Sequence, residues 1–295
     1  MLMNTIWSTY IQKIGTLYQS RNLRFSDLFR EKYISCFCLP DMQGLQILEI
    51  GCGPGSLAQA LHRWYPEASV TGIDRDTDFI AFAHTQSPEI RFLEADAESL
   101  PFADNSFDVT VSNTVMEHIE PGIFLSEQYR VLRPGGVCLV LSARLSRIHH
   151  ASPCVAECSD FEKEIYARTE PYFRAVNETY GVCRYPRTEQ EMPRLMQEAG
   201  FHDVSTEYLT INLTPDNPQY PRETAHAIIN ANRQNDLDGI DYMPYVAPDV
   251  VSTDEMAEIK RRIHAKYDKR IELYNAGIPQ WDTDLSLTMV LRGIR

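Results

Sequence analysis

The stretch Ile47-Leu48-Glu49-Ile50-Gly51-Cys52-Gly53-Pro54-Gly55 joins a short apolar run to a glycine-dense turn and carries one acidic residue within the run. It reads as a buried strand that hands a nucleotide-like ligand to the start of a helix. Glycines at alternate positions permit positive φ and remove the Cβ atoms that would hold a ligand away from the main chain. The following segment, residues 55–65 with Leu57, Ala58, Leu61 and Tyr65, has helical spacing, and its first N–H groups point into the same crevice.

Spacing selects among ligands. A dinucleotide fingerprint requires G-x-G-x-x-G, but Ser56 stands where the third glycine belongs, so the NAD pattern fails there and an adenosyl cofactor fits better. A second block, Ser69-Val70-Thr71-Gly72-Ile73-Asp74, ends in an acid 19 residues beyond Gly55. In nucleotide-binding α/β folds an acid at about that distance accepts hydrogen bonds from ribose hydroxyls, and Asp74 is the candidate. A third block, Arg91 to Phe102, reads as strand three and its loop. A fourth gives strand four (residues 105–113), then Met116-Glu117-His118-Ile119, then Val131-Leu132-Arg133-Pro134-Gly135-Gly136 introducing strand five (residues 137–142).

The E-x-G-x-G-x-G turn with these blocks resembles the class I S-adenosylmethionine (SAM) dependent methyltransferases. The L-P-F-x-D-x-S-F-D-V pattern and the V-L-R-P-G-G turn look like the methyltransferase type 11 branch, which includes the ubiquinone and menaquinone biosynthesis enzymes. The resemblance covers residues 45–142. It implies an α/β Rossmann-like sheet, mostly parallel with an antiparallel last strand and helices on both faces. It further implies that SAM is the cofactor, with S-adenosylhomocysteine (SAH) as product, bound by Glu49, Gly51, Gly53, Gly55, Asp74, Arg75, Asp96, Ala97 and Asn113. In the family the acid at Asp96 bonds the adenine amino group beside the Ala97 backbone, and the acid at Glu49 orders the loop or reaches the methionine amino group through water.

Each of these residues has a structural alternative. The glycines could form an ordinary strand-to-helix turn, and Asp74 or Asp96 could cap the segment that follows it. His118, at the end of strand four, is the one candidate general base in these blocks, against an equal expectation of a hydrogen-bonded structural histidine. Some related enzymes carry a metal on E-x-x-E-H; here Thr114 occupies the first acidic position and breaks the motif, so no metal is expected.

Composition narrows the substrate. With 28 basic and 41 acidic residues the chain carries a net charge of −13, which repels phosphate backbones, so nucleic acid is an unexpected partner and a small molecule the expected one. There is no signal-peptide pattern and no apolar run of membrane-spanning length, which predicts a cytoplasmic protein without membrane insertion. The 7 cysteines form no C-x-x-C knuckle, although Cys36 with Cys38, and Cys154 with Cys158 after His149 and His150, are soft-metal alternatives. Oligomeric state is not legible.

Residues 1–40 read as an N-terminal helical lid (helices near 7–19 and 26–37), and 41–142 as the cofactor-binding core. Residues 143–187 form a polar insertion with Phe161, Tyr166, Tyr172, Phe173, Tyr180 and Tyr185, beside the expected substrate pocket. The core resumes over 188–212 with a Thr188/Glu191 capping box, a helix whose start Pro193 is expected to delay by a turn, and strand six at 202–213. Residues 213–280 form a helical cap, and 281–295 hold the last strand. Within the cap, a Ser252/Glu255 box opens one long helix with Met256, Ile259, Ile263, Tyr267, Ile271 and Tyr274 on its apolar stripe. Its basic residues (Lys260, Arg261, Arg262, Lys266, Lys269, Arg270) are expected on a solvated face, and residues 236–248 as a loop near the site.

The predicted activity is methyl transfer from SAM to a small-molecule nucleophile by in-line displacement. Transfer to RNA or protein, and SAM sensing without turnover, are the alternatives.

Overall fold

The computed structural model describes residues 6–143, 149–150 and 158–295. Its centre is an 8-stranded sheet in the order β3-β2-β1-β4-β5-β8, with β7 on the far side of β8. Strands β1 (Gln46–Ile50), β2 (Ser69–Asp74), β3 (Arg91–Glu94), β4 (Phe107–Asn113) and β5 (Leu132–Ala143) run parallel. β8 (Asp284–Ile294) is antiparallel to β5 and to β7 (His202–Leu213), while β6 (His149–His150) adds two residues to β8. This is the predicted mostly parallel sheet with an antiparallel last strand.

A parallel sheet is covered on both faces, so its strands are apolar without strict alternation. Ile47, Val109, Val111, Leu139 and Leu141 pack on one face with Leu57, Leu61 and Trp64 of helix α3 (Ser56–Trp64). Leu48, Ile50, Cys138 and Val140 pack on the other, against Phe124 and Leu125 of α5 (Pro121–Val131) and Met192 and Met196 of α7 (Glu191–Glu198). Helix α4 (Thr77–Gln86) follows β2. α7 begins at Glu191, not a turn later: Thr188 and Glu191 exchange capping bonds, and Pro193 lies in the first turn, where a missing N–H costs little. β5 starts earlier than expected because Gly135 and Gly136 pair with Arg295.

The N-terminal segment forms a π-helical turn at Trp7–Ile11, then α1 (Ile14–Arg24) and α2 (Arg30–Phe37). α6 (Asp160–Thr179), from the 143–187 insertion, packs with α8 (Arg222–Val246) and α9 (Thr253–Asn275) through a third apolar cluster around Ile165, Ile229, Ile240, Met243, Ile259 and Ile263.

Two expectations are corrected here. Residues 236–248 are not a loop: α8 continues through Val246, because Ile240, Met243 and Val246 bury against the cap and the core. Pro244 falls in the last turn, where its missing N–H costs the helix a single bond, the one to the Ile240 carbonyl. The basic residues of α9 are also not uniformly solvated. Arg270 is fully buried between Asp216 (2.7 Å) and Asp282 (2.8 Å), and Lys266 sits between Glu162 and Asp236, each at 3.3 Å.

Candidate active site

Parallel strands leave a crevice at their C-terminal ends where the strand order reverses, here between β1 and β4. Three sequence blocks meet there.

β1 ends at Ile50, and the turn that follows needs glycine. Gly51, Gly53 and Gly55 have φ of 68°, 52° and 89°. A Cβ on Gly51 would stand 2.4 Å from Val115 Cγ2, and one on Gly55 would stand 3.0 Å from Phe92 Cζ. The turn is fastened to β2: Asp74 accepts the Gly53 N–H at 2.8 Å through one carboxyl oxygen and the Asp76 N–H at 2.9 Å through the other. Burial pushes the Asp74 carboxyl up to about 6, against the pull of those two N–H groups. The helix cap that Asp74 might have supplied belongs to Asp76, which accepts the Asp78 and Phe79 N–H groups at the start of α4.

Glu49 is 2 % exposed, and burial raises its carboxyl well above the ordinary range; the Ala58 N–H and Arg21 act in the opposite sense. Its Oε2 is buried without a hydrogen-bond partner. A buried carboxyl beside a turn of backbone N–H groups has the donor-seeking character that an adenosyl cofactor's amino-acid end requires. Asp96 lies exposed after β3 with Oδ1 on the Glu98 N–H at 2.9 Å, and Ala97 is partly buried next to it. Asn113 closes β4, and Arg75 is exposed with its guanidinium 5.8 Å from the Trp7 ring centre.

His118 Nδ1 accepts the Cys183 N–H at 2.9 Å. Burial lowers its pKa, and Trp7 packs edge-on at 4.7 Å. Beside it, Glu117 accepts the Ser142 hydroxyl on Oε1, while Oε2 is buried without a partner. A cavity of about 10 Å³, the room of one water, touches Met116, Glu117, Ser142, Tyr185, Arg187 and Met192. A much larger hollow of about 630 Å³ over β7 and β8, lined by Thr188, Glu189, Gln190, Tyr208 and Leu287, shares no residue with the glycine turn.

The N-terminal helices pack over the glycine turn. Ser8 donates from N and Oγ to Asp76 at 2.8 and 2.9 Å. Leu17 faces Gly53, the Tyr18 hydroxyl donates to Gln59 at 3.0 Å, and Arg21 donates to Thr114 Oγ1 at 3.1 Å. From outside, α8 clamps the lid: Lys13 pairs with Asp241 at 2.6 Å and Asp238 at 3.4 Å, and the Thr16 hydroxyl bonds Asp238. Trp7, Ser8, Arg21, Asp76 and Asp238 were not singled out by the sequence because their partners lie on elements far away in the chain, whereas Glu117 stood out only through the Met116-Glu117-His118 block.

Among the described residues no three His, Cys, Asp or Glu side chains form a metal-binding group. Cys36, Cys38 and Cys158 are unbridged thiols, and Cys154 lies outside the described residues.

Residues 48–140 match the family described as "Methyltransferase domain". Over 116 residues the chain is 40% identical to a fatty-acid O-methyltransferase of Mycolicibacterium smegmatis, covering 38% of this chain and 42% of that protein. Over 118 residues it is 36% identical to a malonyl-[acyl-carrier protein] O-methyltransferase of Pectobacterium atrosepticum, covering 39% and 45%. The chain thus spans under half the length of these relatives. A Haemonchus contortus phosphoethanolamine N-methyltransferase 2 structure aligns over 94% of this chain and 52% of that one, with 19% identity and a TM-score of 0.47. The matched segment is the one that carries the glycine turn, Asp74 and the β4–β5 half of the crevice, so it is this part of the chain, residues 48–140, that is similar to methyltransferase domains.

Proposed function

We propose that this protein transfers the methyl group of SAM to a small-molecule nucleophile. The observation that carries the reading is the glycine turn locked to Asp74 beneath a closed lid, with the unpartnered Glu49 Oε2 at its base. Gly51, Gly53 and Gly55 would let the cofactor lie against the backbone, Asp74 would accept from the ribose, Asp96 and Ala97 would face the base, and Glu49 the amino-acid end. Arg75 and Asn113 border the same crevice. SAM supplies a methyl group already activated by a sulfonium.

What remains for the chain is alignment and exclusion of water, which contribute roughly 7–11 kcal/mol when a nucleophile is held in line. Trp7 packs edge-on to His118, and Tyr10 stacks on Tyr180 at 5.3 Å; in this reading these rings would border the acceptor. With Nδ1 taken by the Cys183 N–H, His118 holds the Cys183 backbone in place and is not the base in this reading. Such a site suits an acceptor that is already anionic or that loses its proton after transfer. The relatives named for fatty-acid and malonyl-carrier O-methylation favour the small-molecule reading, as does the net charge of −13. In this reading residues 1–40 are the lid, and the helices within 143–187 and 213–280 shape the acceptor pocket.

Calorimetric titration with SAH, repeated in excess NAD, tests this. Micromolar SAH binding that NAD does not displace supports the reading; no SAH binding, or displacement by NAD, removes it.

A further inference from the structure

Among the described residues, Arg21 is the one cation of the N-terminal helices placed over the crevice without an acid to pair with. Its neighbour Arg24 pairs with Asp284 at 3.5 Å, and Lys13 pairs with Asp241 and Asp238. Arg21 instead donates to a hydroxyl, Thr114 Oγ1, and no described carboxylate lies within ion-pair distance of it. Thr114 is itself held at a φ of 57°, a costly backbone for a β-branched residue, and its hydroxyl also donates to the Asn113 carbonyl. Two acids are close enough to act on Arg21 through space, Glu49 and Glu117, but each is turned to another partner and each keeps one buried oxygen unbonded. Burial, with Arg24 adding to it, lowers the Arg21 pKa to about 10 against the pull of Tyr33, Glu117 and Glu49, so the group is still charged at neutral pH with its desolvation only partly offset.

We propose that Arg21 is the receptor for a ligand carboxylate held under the lid. The inference rests on the SAM-dependent reading, and the carboxylate has two sources: the amino-acid end of the cofactor, or the acceptor. A guanidinium presents a planar fork of N–H donors that matches a carboxylate with two parallel bonds, a geometry that one hydroxyl does not fill. The open oxygens of Glu49 and Glu117 at the same strand ends suit the ammonium of a zwitterion, which favours the cofactor. Because Arg21 belongs to α1, a carboxylate bound there also draws the lid onto the glycine turn. Ligand affinity and lid closure then become one equilibrium.

The test compares the parent chain with Arg21→Met, which keeps the apolar stem, and Arg21→Lys, which keeps the charge but not the fork. Calorimetry would use SAH, 5′-methylthioadenosine (which lacks the amino-acid moiety), and octanoate added to SAH-saturated protein. If the cofactor is the source, Arg21→Met loses at least tenfold in SAH affinity, Arg21→Lys loses several-fold, and 5′-methylthioadenosine binds all three equally. If the acceptor is the source, SAH affinity is unchanged and octanoate binding to the parent is lost in Arg21→Met. Equal binding of all three probes by parent and variants, including octanoate binding to none, overturns the proposal. Failure of the parent to bind SAH and 5′-methylthioadenosine removes the cofactor reading itself.

Discussion

Asp74 should make cofactor affinity depend on pH. Its carboxyl is held at about 6 by burial, and its two oxygens already accept the Gly53 and Asp76 N–H groups. A ribose hydroxyl needs the ionised form as acceptor. If only that form binds, the apparent Kd scales as one plus the protonated-to-ionised ratio. With a pKa of about 6 that factor is ~11 at pH 5 and ~1 at pH 7.5, a tenfold gain worth about 1.4 kcal/mol. The effect on the free protein has the opposite sign. A folded pKa above the unfolded value of 3.8 favours the fold fully below about pH 4, and this contribution, on the order of 2–3 kcal/mol, is lost as pH rises through 6. Cofactor binding should therefore stabilise the chain more at pH 7.5 than at pH 5. Isothermal titration with SAH across that range, beside thermal melts, reads both. Asp74→Asn should bind weakly at every pH, since an amide cannot accept from both N–H groups and one buried donor then costs about 1–3 kcal/mol. A parent affinity that is flat between pH 5 and 7.5, or an Asp74→Asn profile that keeps the tenfold slope, would refute the assignment.

Three further outcomes follow from the geometry. Gly51→Ala places a Cβ 2.4 Å from Val115 Cγ2 at a φ of 68°; the left-handed backbone alone costs ~1–2 kcal/mol, and SAH binding should drop below detection in a chain that still melts cooperatively. Asp238→Asn should release the lid from α8, raising amide exchange across residues 7–24 at least tenfold while β1 and β4 stay protected; uniform exchange would mean the clamp is dispensable. His118→Asn should slow transfer less than tenfold without removing a titration from the pH profile of kcat/KM between pH 5 and 8, and a hundredfold loss with a vanished acidic limb would restore His118 as general base.

The sheet was legible because its signals are local. A glycine turn, an acid at fixed spacing and buried β-branched runs are written within single blocks, and β2 and β7 fall where the sequence places them. The start of α9 was legible for the same reason, since Ser252 and Glu255 form the reciprocal cap. α8 was hidden because Gly239 and Pro244 are local breakers, and the burial of Ile240, Met243 and Val246 that overrides them is tertiary. From sequence Arg270 and Lys266 read as surface charges because their acids, Asp216 and Asp282 for one and Glu162 and Asp236 for the other, come from separate segments. At the site the glycines and Asp74 could be placed from sequence, whereas the bonds that occupy His118 and leave Arg21 without an acid depend on the turn at Cys183 and on the packing of α1.

The most direct test of the central claim is transfer of radiolabelled methyl from SAM into a cell extract, followed by separation of small-molecule, RNA and protein fractions, with Gly51→Ala run in parallel. Label in the small-molecule fraction that disappears with the variant is the predicted result. Label confined to RNA or protein, or equal label from the variant, would contradict the account.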